Sequence, residues 1–391
     1  MTDLRVDIDA TQASVLDALR ALRAQPGAPA VLDLSPAAAG ASQHRRPDLM
    51  TLAMLSNVLV TTERRRSIVL QIPQDDNLLR QFARAGVLFA LAQRPGPSAL
   101  HLVEADGTLF PSQPAWADLS AWRRNWTPED SAFRQLVLTG AAKPSEPWAL
   151  VQRGLVTFKN PHLAVERHRL TRELNTNLLR HWTPQVLDHY GVASGDGAEL
   201  VLSVSAAVNE LVLNFAVHPF GTIASAPPTG RDIPKDRQVG YVALYTTDGG
   251  GDASGNRLHV VVADGGHGIP ATLRPKLPRR HPARTNTSDA ELTRLLLEGG
   301  VPAYGRGEGR GFLRLVELAR LHAGRLRLCT GAVDGTVGTV VASYDGQTDQ
   351  VNAEGLGNID IAGTIVRLSF VLPVASVAQE APTADQSAFA V

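Results

Sequence analysis

A glutamate and an asparagine stand four residues apart in the run Glu210-Leu-Val-Leu-Asn214, and both carry oxygen atoms suited to metal and water chemistry. Apolar residues at helical spacing predict a helix over 199–217, so the two side chains share one helix face. The amide oxygen of Asn214 is a suitable ligand for Mg²⁺. The carboxylate of Glu210 can orient or deprotonate an attacking water or hydroxyl group.

A second motif, Asp264-Gly-Gly-His-Gly-Ile-Pro, follows an apolar strand pattern. A carboxylate at the end of a strand can accept a hydrogen bond from an exocyclic amine such as that of adenine. Gly266 and Gly268 let the backbone turn tightly and approach a base without an intervening side chain, and Ile269 completes the motif. This run predicts the adenine end of a nucleotide site.

Glycines at every second position, 305 to 311, precede a predicted helix over 312–323. Backbone N–H groups at such a helix start attract anions, and a triphosphate is the natural occupant. A last motif, Gly363-Thr364, opens a predicted strand over 363–371. The nucleotide-contacting residues predicted from the glycine cluster are Gly307, Gly309, Arg310, Gly311 and Phe312.

Each of the four motifs has an ordinary structural explanation when taken singly: a solvated helix edge, a turn after a strand, a flexible loop and the start of a strand. Their joint occurrence in this order favours a pocket for ATP and Mg²⁺. The chain lacks the Gly-x-x-x-x-Gly-Lys-Ser/Thr pattern of a P-loop. The glycine spacing also differs from a dinucleotide fingerprint, and the cluster does not follow a strand.

Length and composition narrow the class of protein. A chain of 391 residues predicts two domains. The 38 basic and 38 acidic side chains cancel, so the bulk charge indicates neither nucleic acid nor an anionic membrane as a partner. The single cysteine, Cys329, excludes an intramolecular disulfide and a cysteine cluster for zinc. No signal-peptide pattern and no apolar run of about 20 residues is present, so we expect a cytoplasmic protein.

The pattern along the chain divides it into four regions. Residues 1–105 alternate strand patterns at 30–34 and 67–72 with helical patterns at 48–59 and 77–86, typical of an α/β unit. Residues 106–162 are rich in proline and contain Trp116, Trp122 and Trp126. These tryptophans either pack a connector against one domain or form a partner-binding surface. Residues 163–374 form the predicted ATP-binding domain, and 375–391 a disordered tail. The charged helical pattern at 163–179 suits a linker or a homodimer contact.

Within the second domain, strand patterns at 239–246 and 258–263 predict a hairpin. Residues 271–287 are aperiodic and predict a loop, and Ser288 with Glu291 fits a capping box. Further strands are predicted at 325–329 and 336–344.

These motifs resemble those of the GHKL superfamily of ATPases, and are closest to the anti-sigma-factor kinases. The run from Glu210 to His218 resembles the N-box, the run from Asp264 to Pro270 the G1 box, and the residues around Gly309 to Phe312 the G2 box. The resemblance covers about 165–374 and implies a Bergerat fold, a mixed sheet with helices on one face. It further implies a mobile lid over 271–304, Mg²⁺ on Asn214, Glu210 as the base, and Thr364 beside the adenine contact of Asp264.

The N-terminal unit resembles, more weakly, a STAS domain of the anti-sigma-antagonist type, on the strand Val31-Leu-Asp-Leu-Ser35 and the elements that follow it. Such domains are phosphorylated at the start of a helix. Here that position lacks the usual Asp-Ser-Ser, and Thr51 and Ser35 are the candidate acceptors. The fusion suggests a regulator in which the ATPase reports to its own N-terminal unit or to a protein partner.

Three functions remain open at this point. The leading one is an Mg-ATP-dependent conformational switch with slow hydrolysis. The second is a serine or histidine kinase, for which His168 and His181 are the candidate acceptors on the charged helix. The third is a non-catalytic scaffold that ATP orders.

Overall fold

The structure is a computed structural model of the whole chain, and it describes the following residues: 4–8, 11–35, 49–62, 65–73, 82, 87–93, 96–104, 108–109, 149–155, 183–192, 194–217, 239–247, 256–264, 266–277, 285–299, 311–333, 338–357, 361 and 363–372. Those residues form an α/β structure with two sheets. Among them, no helix has both the length and the apolar character needed to cross a membrane.

The N-terminal unit contains a parallel sheet of four strands in the order β1-β2-β3-β4. Its elements are β1 (Leu4–Asp7), α1 (Gln12–Ala24), β2 (Ala30–Asp33), α2 (Leu49–Thr61), β3 (Ile68–Pro73), α3 (Val87–Gln93) and β4 (Ser98–Val103). Helix α1 begins at the N-cap Thr11, whose hydroxyl accepts the N–H of Ser14 at 3.2 Å. The sequence patterns had predicted β2, α2 and β3 but neither β1 with α1 nor β4.

The C-terminal unit contains seven strands in the order β10-β9-β8-β11-β7-β6-β5. The strands are β5 (Ala149–Leu155), β6 (Val239–Thr247), β7 (Arg257–Asp264), β8 (Arg325–Gly331), β9 (Thr339–Asp345), β10 (Gln350–Leu356) and β11 (Thr364–Val371). The helices are α4 (Thr183–His189), α5 (Ser194–Val217), α6 (Ile269–Leu273), α7 (Asp289–Leu297) and α8 (Gly311–Leu321), with a 3₁₀ turn at Arg274–Lys276.

Every pairing in this second sheet is antiparallel, which corrects the expected mixed sheet. Strands β6 and β7 pair as the predicted hairpin, and β8, β9 and β10 follow one another as a meander. Strand β11 then inserts between β7 and β8, antiparallel to both. This insertion places β11, the last described strand, in the middle of the sheet.

Two separate apolar clusters cover the two faces of the second sheet. Val260 and Val262 of β7 pack in a cluster with helices α5, α6, α7 and α8, whereas Val261 and Ala263 pack in a cluster with the N-terminal unit. Successive side chains of a strand point to opposite faces, so this alternation follows from the period of two. The unbroken apolar run of β7 is therefore that of a strand buried on both faces.

Helix α2 contacts both β7 and β11 and belongs to the cluster it shares with the first sheet. Its residues with described side chains are buried around most of the helix, including the polar Thr51 and Ser56. A helix that is apolar on all sides needs cover on all sides. Helix α2 thus joins the two units through one continuous apolar cluster.

Two local predictions need correction, and a third is confirmed. Strand β5 lies within the region predicted as a connector, 106–162, and pairs with β6 at the edge of the second sheet. The predicted loop over 271–287 contains most of α6 and the 3₁₀ turn, with Leu273 and Leu277 buried. Ser288 is the N-cap of α7, as predicted, since its hydroxyl accepts the N–H of Glu291, and the carboxylate of Glu291 pairs with Arg294.

Candidate functional site

Asp264 is the last residue of β7, where it is aligned with Thr364, the first residue of β11. The Asp264 side chain is 9% exposed. Its Oδ1 accepts the N–H of Gly266 at 2.8 Å, and the carboxylate also accepts the N–H of Thr364. Residues 100 positions apart in the sequence therefore meet at one point, because β11 pairs with β7 in this register.

Two glycines allow a close backbone approach around this carboxylate. A Cβ atom on Gly363 would lie 2.4 Å from Oδ1 of Asp264 and 2.5 Å from the nitrogen of Gly266. Gly268 has a φ of 86°, and a Cβ there would lie 2.9 Å from the carbonyl oxygen of Gly331. Any other residue at these two positions would clash with the strand ends.

Thr330, the penultimate residue of β8, completes the same cluster. Its Oγ1 accepts the N–H of Ile269 at 2.8 Å and lies 3.2 Å from Oγ1 of Thr364. The sequence patterns did not identify Thr330. Only the pairing of β8 with β11, which the sequence does not specify, places it opposite Thr364.

Burial raises the pKa of Asp264 to about 7, although hydrogen bonds from the N–H groups of Gly266 and Thr364 act to lower it. Removing a carboxylate from water disfavours its charged form, and here this effect is the larger one. A carboxyl group in such a position accepts hydrogen bonds strongly and can change its charge near neutral pH. Groups of this kind cluster at functional sites.

Glu210 of α5 contacts Arg314 of α8, with 3.1 Å between Oε1 and Nη1. This ion pair connects the predicted N-box helix to the helix that follows the glycine cluster. The backbone of Asn214 lies one turn after Glu210 in α5, as predicted, but its side chain lies outside the described part of the structure. Within the part that is described, no group of three or more acidic, histidine or cysteine side chains is arranged for a metal.

The remaining predicted contacts are partly described. Gly311 is the first residue of α8, and Phe312 is half-buried and packs on the apolar cluster that contains Ile269. Gly307, Gly309 and Arg310 lie outside the described residues. The structure therefore brings Asp264, Gly266, Gly268 and Thr364 together, and it connects Glu210 to the start of α8.

The predicted lid, 271–304, contains elements that pack into the body of the unit. Helix α7 contacts β9 and β10, and Leu292, Leu296 and Leu297 are buried in the core. The fully buried carboxylate of Asp289 accepts the Nε of Arg274 at 2.6 Å and the N–H of Val333 at 2.5 Å. A mobile lid over the whole range does not fit these contacts, and residues 278–284 and 300–304 lie outside the described part.

The candidate phosphoacceptors differ in their surroundings. Thr51 is 2% exposed within α2, which corrects its assignment as an acceptor because a kinase could not reach it. Ser35 is half-buried after β2, and its N–H donates to Oδ1 of Asp33 at 2.9 Å. His168, His181, the three clustered tryptophans and the helix predicted at 163–179 lie outside the described residues.

The chain was compared with protein-family models, curated proteins and solved structures, and none of them matches it.

Proposed function

We propose that the C-terminal unit, which includes β5 as well as residues 163–374, is a GHKL-type domain that binds Mg-ATP and hydrolyses it slowly, and that the protein is a regulatory switch. One observation carries this proposal. The buried carboxylate of Asp264, the close approach at Gly363 and the hydroxyl of Thr364 converge at the ends of β7 and β11. Residues of the two motifs predicted to lie at the adenine end are thus side by side.

The residues of this cluster fit the adenine end of ATP. Asp264 would accept a hydrogen bond from the exocyclic amino group of adenine. The hydroxyl of Thr364 would lie beside that hydrogen bond. Gly268 would permit the tight turn after Asp264, since its positive φ and missing Cβ let the backbone pack directly against Thr330 and Gly331. The Ile269 side chain, which lies in the apolar cluster, suits contact with a flat ring.

The phosphate end would lie at the start of α8. Its first N–H groups have no partner within the helix, and the helix dipole favours an anion there. Asn214 would ligate Mg²⁺, which usually binds few protein ligands and keeps phosphate oxygens and water for the rest. When it is bound, Mg²⁺ would offset negative charge on the phosphates.

Glu210 would act as the base in hydrolysis. Its carboxylate would accept a proton from water while the water oxygen forms a bond to the γ-phosphorus. The bond from that phosphorus to the bridging oxygen would break, and its electron pair would leave with ADP. In the structure, the carboxylate of Glu210 forms an ion pair with Arg314.

The apolar cluster shared by α2, β7 and β11 supports coupling to the N-terminal unit, which we propose to be STAS-like. The strands that end in Asp264 and begin at Thr364 pack directly on that unit through their other face. A change at the nucleotide would reach the N-terminal unit through those two strands, without a second protein.

Direct binding measurements test the proposal. We expect saturable binding of Mg-ATP by calorimetry, and weaker binding of Mg-GTP because guanine presents an acceptor to Asp264. In Asp264→Asn, one amide oxygen faces two backbone N–H donors and the adenine amine. Loss of a charge-assisted hydrogen bond predicts about tenfold weaker ATP binding and a smaller ATP-over-GTP preference.

Asp33→Asn is the matched control. Asp33 also ends a strand, is buried, and accepts the N–H of the residue two positions later. We expect its ATP affinity to stay within twofold of the wild type. No measurable affinity for Mg-ATP in the wild-type chain would reject the proposal. Turnover of labelled ATP distinguishes the three candidate functions. Phosphate release that stops in Glu210→Ala supports hydrolysis, and label retained stably on protein indicates a kinase. Binding with neither phosphate release nor labelled protein indicates a scaffold.

A further inference from the structure

The ion pair between Glu210 and Arg314 joins two helices that the chain separates by 104 residues. Glu210 lies in the C-terminal half of α5, and Arg314 lies in the first turn of α8. The motifs discussed above assign no role to Arg314. The proposed base of the reaction is thus held by a cation that belongs to the proposed phosphate-binding helix.

The two partners differ in their freedom to move. The Glu210 side chain is 20% exposed and the Arg314 side chain is 55% exposed. Arginine has a long, flexible stem and a planar group that matches phosphate oxygens as well as carboxylates. The arginine is therefore the partner that can turn to another anion while the glutamate stays in place.

A triphosphate at the start of α8 would change the electrostatics of this pair. Its terminal phosphate would attract the Arg314 guanidinium and repel the Glu210 carboxylate. The phosphate and the carboxylate would therefore compete for one cation. A diphosphate ends one phosphate earlier and competes less. The pair therefore provides a way to distinguish ATP from ADP.

Building on the proposed function, we propose that Arg314 is the residue that recognises the terminal phosphate of ATP. In the absence of nucleotide, Arg314 neutralises Glu210 and holds α8 to α5. When ATP binds, the guanidinium moves to the terminal phosphate, and the Glu210 carboxylate becomes available to accept a proton from water. ADP leaves the original ion pair in place.

Affinities for a non-hydrolysable ATP analogue and for ADP, both with Mg²⁺, test this role. Arg314→Ala is expected to weaken the analogue about tenfold, as expected for loss of a charge-assisted contact, and to change ADP binding less than twofold. Arg314→Lys keeps the charge without the fork and is expected to recover part of the loss.

Arg320→Ala is the matched control. Arg320 lies in the last turn of the same helix, has the same 55% exposure, and forms an ion pair with Asp349. If Arg314 only stabilised the fold, both substitutions would affect the two nucleotides alike. The expected result is a changed ratio of analogue to ADP affinity in Arg314→Ala and an unchanged ratio in Arg320→Ala.

A double-mutant cycle tests the competition itself. Glu210→Gln removes the rival anion, so the analogue should bind about two- to fivefold tighter, the range expected for a partly exposed ion pair. This gain should shrink in the Glu210→Gln/Arg314→Ala double variant. An equal gain in both backgrounds would show simple charge repulsion and overturn the inference.

The two proposals fail separately. A wild-type chain that binds neither nucleotide rejects the proposed function and this inference with it. A wild-type chain that binds both nucleotides, with an unchanged affinity ratio in Arg314→Ala, rejects the role of Arg314 alone.

Discussion

Asp264 carries a buried carboxyl group, and burial disfavours its charged form. Burial raises its pKa to about 7 in the folded protein, above its ordinary value of about 3.9 in an unfolded chain. Asp33 shows the opposite outcome at a similar place. Burial again opposes its charge, but hydrogen bonds from Ser35 and Arg5 prevail and leave its pKa below the ordinary value. At Asp33 the hydrogen bonds from Ser35, together with Arg5 and its positive charge, outweigh burial, whereas at Asp264 burial outweighs the hydrogen bonds from the N–H groups of Gly266 and Thr364.

This shift predicts how stability depends on pH. Between about pH 4 and pH 7 the folded chain holds a proton on Asp264 that the unfolded chain has released. The contribution of Asp264 to stability is therefore complete below pH 4 and is lost as the pH rises through 7, by at most about 1.4 kcal/mol per pH unit.

Urea unfolding of the wild type and of Asp264→Asn at several pH values measures this contribution. The variant cannot titrate, so its free energy of unfolding should gain on that of the wild type as the pH rises from 4 to 7. A constant penalty from the amide would offset the two curves but would not change the slope of their difference. Parallel curves would contradict the raised pKa.

At the scale of elements, a buried ion pair fixes the approach to α7. Asp289 is fully buried, and Arg274 donates to it from the 3₁₀ turn while also donating to the carbonyl oxygen of Thr287 at 2.9 Å. Val333, just after β8, donates to the other carboxylate oxygen. One side chain thus connects the start of α7, the 3₁₀ turn and the residues that follow β8.

Removal of that carboxylate should be costly. Asp289→Ala leaves a largely buried guanidinium and a backbone N–H without their acceptor, so we expect a loss of about 3 kcal/mol in the free energy of unfolding. Glu298→Ala, at the other end of the same helix, breaks a partly exposed pair with Arg294 and should cost less than about 1 kcal/mol. Urea unfolding checks both. Similar costs for the two variants would show that the buried pair adds little.

The elements also show where sequence patterns suffice. The hairpin of β6 and β7, helix α5 and helix α8 were predicted because each has a local periodicity and a clear turn or terminator. Strand β10 was missed because it is an edge strand with several exposed residues and only a weak apolar alternation. The antiparallel insertion of β11 was missed because pairing between distant strands leaves no local pattern.

The site divides in the same way. Asp264 and Gly268 were predicted from their residue types and spacing within a short motif, and Thr364 from the resemblance of its motif to that of a known family. Thr330 and Arg314 were not, since a threonine at a strand end and an arginine on a helix are common. They gain meaning only from the register of β8 with β11 and from the packing of α8 on α5.

At the scale of the whole molecule, the two units form a layered structure around α2. This helix shares one apolar cluster with β7, β8 and β11, and Cys329 of β8 lies in that cluster with 1% exposure. Burial also raises the pKa of its thiol to about 11. Cys329 is the only cysteine of the chain, so its chemistry reports on this cluster alone.

Thiol labelling therefore tests whether the units separate without unfolding. A buried, protonated thiol should react with a disulfide reagent only when the cluster opens. If one cluster holds both units together, opening should require global unfolding. We then expect the labelling rate and the circular dichroism signal to give the same free energy and the same dependence on urea.

The unfolded chain in concentrated urea provides the control, since it fixes the intrinsic rate at which the thiol reacts. A markedly weaker urea dependence for labelling than for global unfolding would mean that the N-terminal unit leaves the sheet on its own. The same measurement with saturating Mg-ATP then tests the switch. Nucleotide binding alone stabilises the folded chain and slows labelling to a calculable extent. Labelling that is slower than this would mean that nucleotide at the ends of β7 and β11 tightens the packing of α2 on the sheet.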